Sequence, residues 1–342
     1  MPDKYPIMTS KTQNPERIDA VHPAPQKPPH PNMVWIPGGT FEMGSNDHYP
    51  EEAPVHSVTV DGFWMDKYQV TNARFGHFAR ATGYVTVAER RPDPAQYPGA
   101  PPENLVPGSL VFRMTSGPVN LRYIDQWWAW TPRACWRRPE GPGSHIRKRT
   151  KHPVVHIAYE DAVAYAEWAG KTLPTEAEWE FAARGGLGGA AFTWGDEHTP
   201  KGKPLANTWQ GEFPWQNLVT DGFEGTSPAG SFPSNGYGLC DMAGNVWDWT
   251  ADWWMEDQPA DPDKPCCIPQ NPRGGTIEQS YDPAAAQWRI PRKVVKGGSY
   301  LCAPNYCLRY RPAARRPQMI DTSMTHIGFR CIVRTATSDS AG

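Results

Sequence analysis

The sequence predicts a single α+β domain with little regular secondary structure, and three observations lead there. The 38 Pro and 31 Gly among 342 residues leave few stretches long enough for long helices or central strands. The 16 Trp, scattered from Trp35 to Trp288, require a packed interior, which a disordered chain of similar Pro and Gly content would not have. Helical periodicity with stop signals is confined to a few short segments, while short strand-like runs recur without a repeat period. A chain of this length can close one sizeable core.

Taken in order, residues 1–31 read as a flexible arm, polar and ending in "HPAPQKPPHP", and residues 32–335 as the domain. "NMVWIPGGTFEMGS" predicts two short strands turned by Pro37-Gly38-Gly39, and "VHSVTVDGFWMDKYQVT" two more around Asp61-Gly62. Thr71 then caps a short helix that buries Phe75 and Phe78. Residues 86–152, irregular but rich in aromatics, read as an elaborated insertion lying over the core. "EDAVAYAEWAG" places Val163, Tyr165 or Ala166, and Trp168 or Ala169 on one helical face and stops at Gly170. "TEAEWEFAARGG" opens with a capping-box pattern at Thr175 and Glu178 and buries Trp179 with Phe181 or Ala182. Its glutamates are read as helix-capping and surface groups rather than as an acid/base pair. From Ala206 short strands and turns dominate, and 336–342 is a C-terminal tail.

Composition excludes several classes. With 34 basic against 36 acidic residues the net charge is −2, so no broad nucleic-acid or anionic-membrane surface is expected. The basic stretch from Arg137 to Lys151 reads as a solvated loop or the rim of a groove. No run approaches the ~18 apolar residues of a membrane span, and the start lacks the apolar segment of a secretion signal. A cytoplasmic protein is expected. Seven cysteines, at 135, 240, 266, 267, 302, 307 and 331, are an odd number, which favours thiol chemistry over a disulfide framework.

The pair in "GGSYLCAPNYC", Cys302 and Cys307, is therefore the first candidate site. Zinc would call for a second close cysteine pair or spaced histidines, but Cys266 and Cys267 are adjacent, and His152 and His156 lie in "HPVVH", a loop-like stretch with a proline; a thioredoxin-type C-x-x-C in a βαβ context is absent. A disulfide or resolving thiol, a soft ion such as Cu(I), and inert thiols all stay open. Asn207, Asp221, Asp241 and Asp248 lie in glycine-laced turns, where they either shape the turns or offer oxygens to Ca²⁺. Ser299 is not in a G-x-S-x-G elbow, which argues against a nucleophilic serine.

Together, "MVWIPGGTFEMGS", "EEAPVHSVTVDGFWMDKYQVTN", "HPVVHIAYEDAVAYAEWAGKTLPTEAEWEFAARGG", "NTWQGEFPWQN", "DGFEGTSPAGSFPSNGYGLCDMAGNVWDWTADWW", "VVKGGSYLCAPNYCLRYRPAAR" and "IGFRC" resemble the formylglycine-generating enzymes, the sulfatase-modifying factors. The resemblance runs from about Met33 to Val333, and the cysteines of "GGSYLCAPNYCLRYR" point to the catalytic branch. It implies a C-type-lectin-like fold and a copper-dependent oxidation. One cysteine in an unfolded sulfatase Cys-x-Pro-x-Arg segment becomes Cα-formylglycine at the expense of dioxygen.

The resemblance also implies roles for individual residues. Cys302 and Cys307 would grip Cu(I) nearly linearly, with Ser299 beside the oxygen pocket. Asn207, Thr208, Asp221 and Phe223 would form one Ca²⁺ site, and Asp241, Gly244, Val246 and Asp248 another. Trp247, Arg309, Arg311 and His326 would face the substrate. No nucleic acid or membrane partner is implied, and a monomer is expected. Ala166, Ala183 and Pro312 replace cysteines of secreted relatives, so Cys331 is expected to be free. "CAPNYC" departs from the family's more polar spacer, and His326 stands where an asparagine is usual. The competing expectation is a non-catalytic protein- or sugar-binding module on the same scaffold.

Overall fold

A glycine at position 38 decides the opening topology. In the computed structural model, which describes residues 27–258, 268–285 and 287–335, the chain runs from β1 (Met33–Ile36) into β2 (Gly39–Met43). At the junction Gly38 has φ +70°, and a Cβ there would lie 2.6 Å from Val60 O. Residues 1–26, Cys266, Cys267 and the tail 336–342 lie outside the described residues.

The four expected strands are present, but neither of the two expected turns joins a pair of hydrogen-bonded strands. β2 pairs antiparallel with β3 (His56–Val60), while β1 pairs with β4 (Phe63–Asp66), Met33 opposite Asp66. β4 is also hydrogen-bonded to β11 (Ile332–Arg334), so it is the central strand of a three-stranded sheet. A strand covered on both faces cannot alternate, which is why Phe63, Trp64, Met65 and Asp66 are all buried. Asp66 is matched there by the Lys171 ammonium at 2.6 Å.

Helix α1 (Asn72–Thr82) begins where Thr71 accepts the Arg74 N–H and ends at the left-handed Gly83. Phe75 packs edge-on against Trp136 at 5.2 Å and stacks on Tyr165 at 5.9 Å. Tyr165 comes from α2 (Tyr159–Trp168), whose Ala162 and Ala166 are also buried. Of the alternatives Trp168 or Ala169, it is Ala169 that packs on the core, while Trp168 is 41 % exposed and leans on His77 and Phe78 at the edge.

The hairpin of β5 (Gly108–Phe112) and β6 (Trp128–Pro132), within residues 86–152, is bound to the core. Ser109 Oγ donates to Ser323 O at 2.7 Å, and the Phe112 ring meets Trp209 and Phe213, each at 5.7 Å. His156, fully buried with φ +60°, ties both parts together through Ser109 Oγ (2.6 Å) and Pro139 O (2.8 Å).

Helix α3 (Glu176–Arg184) corrects one expectation: it is buried on every side, not on one face. Thr175 and Glu178 form the capping box read from the sequence. The remaining charges face partners inside the protein. Glu180 meets Lys296 at 3.0 Å and Arg184 at 2.6 Å, and Glu176 takes two hydrogen bonds from Arg315 at 2.8 and 2.9 Å. Lys296 ends β8 (Arg292–Lys296) and Arg315 begins β9 (Arg315–Met319). With β7 (Trp247–Trp253) and β10 (Ile327–Gly328) these strands form a second sheet in the order β10-β7-β8-β9, β10 running parallel to β7. Among the described residues no helix is long and apolar enough to cross a membrane.

His156 makes a testable contribution to stability. Burial pulls its imidazole from 6.5 down to about 4. The unfolded chain therefore binds a proton that the folded chain refuses, and stability falls as pH drops from about 6.5 to about 4. The loss is on the order of 3 kcal/mol. In chemical denaturation across that window, His156→Gln should show a shallower pH slope than the native protein. Equal slopes would remove this role.

Candidate active site

Two glycines set up the site. The chain leaves β8 at Lys296 through Gly297 (φ +92°) and Gly298 (φ +70°). A Cβ on Gly297 would lie 2.9 Å from the Trp179 ring, and one on Gly298 would lie 2.9 Å from Arg309 O. No other residue fits either place. Ser299 O accepts the Cys302 N–H at 2.9 Å, and Ala303 O accepts the Cys307 N–H at 2.7 Å. These turns bring the sulfurs to 3.1 Å, far longer than the ~2.05 Å of a disulfide bond. Both cysteines are free and buried, Cys302 at 2 % and Cys307 at 6 % exposure.

The two thiols are not equivalent. Burial, together with its hydrogen bond to Cys307, pushes the Cys302 thiol well above its usual value. The hydrogen bond from Cys302 lowers Cys307 to about 6 despite burial, and the charges of Arg309 and Arg316 assist. The Ser299 N–H also points at Cys302 Sγ, 3.4 Å away. The pair thus behaves as one thiol donating to one thiolate. The near-linear clamp that the resemblance implies would need the sulfurs farther apart than this hydrogen-bonded spacing. Sulfurs on opposite sides of an ion would stand about 4.6 Å apart if metal–sulfur bonds are about 2.3 Å. The donor chemistry still fits a soft ion: two sulfurs, one readily ionised, shielded from water.

The other predicted residues divide. Ser299 is fully buried beside Cys302, and its Oγ accepts the Leu301 N–H at 3.2 Å. Trp247 is buried in the same apolar cluster as both cysteines. Arg309 lies flat on Tyr49, 3.7 Å from the ring centroid, pairs with Glu51 at 2.7 Å and directs its charge toward Cys307. His326, buried against Trp128 at 4.8 Å, has no partner at Nδ1. Burial, Arg316 and His156 drive it to the neutral form.

Arg311 is a correction: it is 1 % exposed and held by both oxygens of buried Glu52, so it braces the fold rather than facing substrate. Tyr49, whose hydroxyl accepts the Leu308 N–H at 3.0 Å, carried no sequence signal. Neither did the wall beside the spacer, where Tyr306 stacks on Phe213 at 4.4 Å with Trp127 edge-on.

The two oxygen-rich sets differ. In the first, Asn207 Oδ1 is buried without a partner, and among the described residues Asp221 has no ion pair. Gln210 Nε2 donates to Thr208 O and to Asp221 Oδ2, and the Phe223 N–H to Asp221 Oδ1. An orphaned oxygen beside an unmatched carboxylate suits a cation. In the second set, expected at Asp241, Gly244, Val246 and Asp248, oxygens of three residues already have donors. Asp248 is already paired with Arg330 at 2.7 Å, Val246 O takes Gln69 Nε2 at 2.7 Å, and Asp241 Oδ2 takes the Gly230 N–H at 2.7 Å.

A family model described as "Sulfatase-modifying factor enzyme 1-like domain" matches residues 18–335. The chain belongs to that family. It is 54 % identical to a formylglycine-generating enzyme of Mycobacterium tuberculosis, over 88 % of this chain and 97 % of that protein. A protein of the same name from Thermomonospora curvata is 46 % identical over 87 % of this chain and 92 % of its own. The solved structure of PvdO from Pseudomonas aeruginosa aligns with a TM-score of 0.55 at 24 % identity, covering 88 % of this chain and 93 % of that one. That likeness shows the fold, and it agrees with the mixed, helix-poor architecture expected from composition.

The thiol–thiolate arrangement makes a direct prediction. Ultraviolet thiolate absorbance should grow in near pH 6, and in Cys302→Ala its midpoint should rise by about a unit or more, because the S–H donor is lost. An unchanged midpoint would show that Cys302 does not tune Cys307.

Proposed function

We propose that this chain oxidises one cysteine of an extended sulfatase segment, of the Cys-x-Pro-x-Arg type, to Cα-formylglycine with dioxygen, using Cu(I) held by Cys302 and Cys307. The observation that carries this reading is the pair of buried sulfurs 3.1 Å apart, and the hydrogen bond from Cys302, which lowers the Cys307 thiol, supports it. Cu(I) at this pair would supply the one-electron chemistry that links the substrate sulfur to dioxygen. The balance is plain: the cysteine gives up two electrons, its Cβ–S bond is replaced by a carbonyl, and hydrogen sulfide leaves. Dioxygen takes four electrons, so a two-electron thiol reductant is required as well.

The chain's own groups prepare the site. Arg309, pinned by Glu51 and Tyr49, keeps positive charge beside Cys307 and favours its thiolate. Ser299 directs its N–H to Cys302 and holds the turn. Burial of Trp247, Trp127 and Leu301 excludes water that would otherwise compete for the sulfurs. His326, neutral and with Nδ1 unpartnered, offers a polar contact to a peptide without adding charge. Cys307 is the more exposed of the pair, so a visiting thiol is expected on its side. We assign Ca²⁺ to Asn207, Thr208, Asp221 and Phe223 as a structural ion, on the strength of the orphaned Asn207 oxygen. A cytoplasmic site of action is part of the same reading.

The test is incubation of the Cu(I)-loaded protein with a Cys-x-Pro-x-Arg peptide, dioxygen and a thiol reductant, followed by mass spectrometry. The native protein should replace the peptide's sulfur by carbonyl oxygen. Cys302→Ser and Cys307→Ser should each lose Cu(I) binding and at least about 100-fold in rate, equivalent to about 2.7 kcal/mol. Full turnover by either serine variant would end the proposal.

A further inference from the structure

Near Gly244 the two oxygen-rich loops touch. Its ideal Cβ would fall 2.2 Å from Asn207 O, so only glycine lets them approach. In spite of this adjacency they treat charge in opposite ways. Around Asp248 the N–H donors are already in place. Arg330 Nε and Trp179 Nε1 reach Oδ2 at 2.7 and 3.1 Å, and Gln69 Nε2 reaches Oδ1 at 3.2 Å while also reaching Val246 O at 2.7 Å. Arg330 Nη2 takes Asp241 O at 2.8 Å. Arg330 thus balances the Asp248 carboxylate, Asp241 Oδ2 accepts the Gly230 N–H at 2.7 Å, and an amide N–H₂ sits across two of the four oxygens an ion would need. A cation there would face hydrogens, not lone pairs.

Among the described residues no guanidinium or ammonium plays that part at Asp221, and Asn207 Oδ1 has no donor. Gln210 Nε2 does donate to Thr208 O and Asp221 Oδ2, but the charge stays unmatched.

We infer that the chain holds one divalent cation and not two, because Gln69 and Arg330 close the second position. This rests on the assignment of Ca²⁺ to the Asn207 set. It also names the residue responsible. Gln69 Oε1 is itself buried without a partner, so the amide is held only through its nitrogen. Gln69→Glu replaces that nitrogen with oxygen at nearly unchanged volume. Val246 O, Asp248 Oδ1 and the new carboxylate then converge, and a bound cation relieves their repulsion without the new carboxylate taking up a proton.

The experiment uses the full chain, stripped with chelator and dialysed into CaCl₂, with bound calcium counted by elemental analysis and titration calorimetry. The native protein should bind one Ca²⁺ and Asp221→Asn none, while Gln69→Glu should bind two and gain a calcium-dependent rise in melting temperature. Two Ca²⁺ in the native protein would overturn the inference, as would a single ion that survives Asp221→Asn but is lost in Asp248→Asn. No Ca²⁺ in the native protein would overturn the Asn207 assignment and the count with it. In that case a calcium gained by Gln69→Glu would still separate the closure from the failed site. The native and Asp221→Asn counts decide the matter even if Gln69→Glu does not fold.

Discussion

The site depends on buried ion pairs that fix both ends of the cysteine segment. Lys296, the residue before Gly297, is locked by Glu180 at 3.0 Å and by Ala313 O at 3.2 Å. After the pair, Arg311 is gripped by Glu52, and Arg315 by Glu176. All these side chains are almost fully buried. Removing one partner from such a pair leaves an uncompensated charge and costs about 3–5 kcal/mol, so each contact has essentially one allowed geometry. The segment between them carries two thiols and needs that definition, since no helix or strand runs through it.

Helix α3 is the hub. Its glutamates look in sequence like the polar face of a surface helix, yet they neutralise cations from β8 and β9 and hold the sheet against the ribbon of β2 and β3. Lys296 and Gly297 are adjacent, so the same helix supports the turn that aims Cys302 at Cys307. Trp179 shows the economy of this arrangement, closing over Gly297 while donating its indole N–H to Asp248.

Aromatic contacts do elsewhere what regular structure does in other folds. The insertion has one hairpin and several single-turn helices, but Phe112, Trp127 and Trp128 lock it onto Trp209, Phe213, Tyr306 and His326. Large rings bury much area at low entropic cost, which suits a proline-rich backbone that cannot form ladders. Tyr306 apart, the wall beside the thiols is therefore built largely by Phe112, Trp127, Trp209 and Phe213, about 90 to 200 positions away in sequence from the pair.

Local chemistry was legible from the sequence alone. Thr71, Thr175 with Glu178, and Gly83 or Gly185 act within one helical turn, and the four opening strands follow from alternation and turn residues. The cysteine pair was legible too, because its spacing and glycines are local. The tertiary structure decided what depends on distant partners. Strand pairing crossed over because Gly38 lets β1 run on into β2. Trp168 was left at the surface, and Arg311 was turned inward to Glu52. Asp248 was matched by Arg330, from the far end of the chain. A sequence shows which groups carry charge or sulfur, but whether a buried group is paired is settled only by what the fold places within about 3 Å of it.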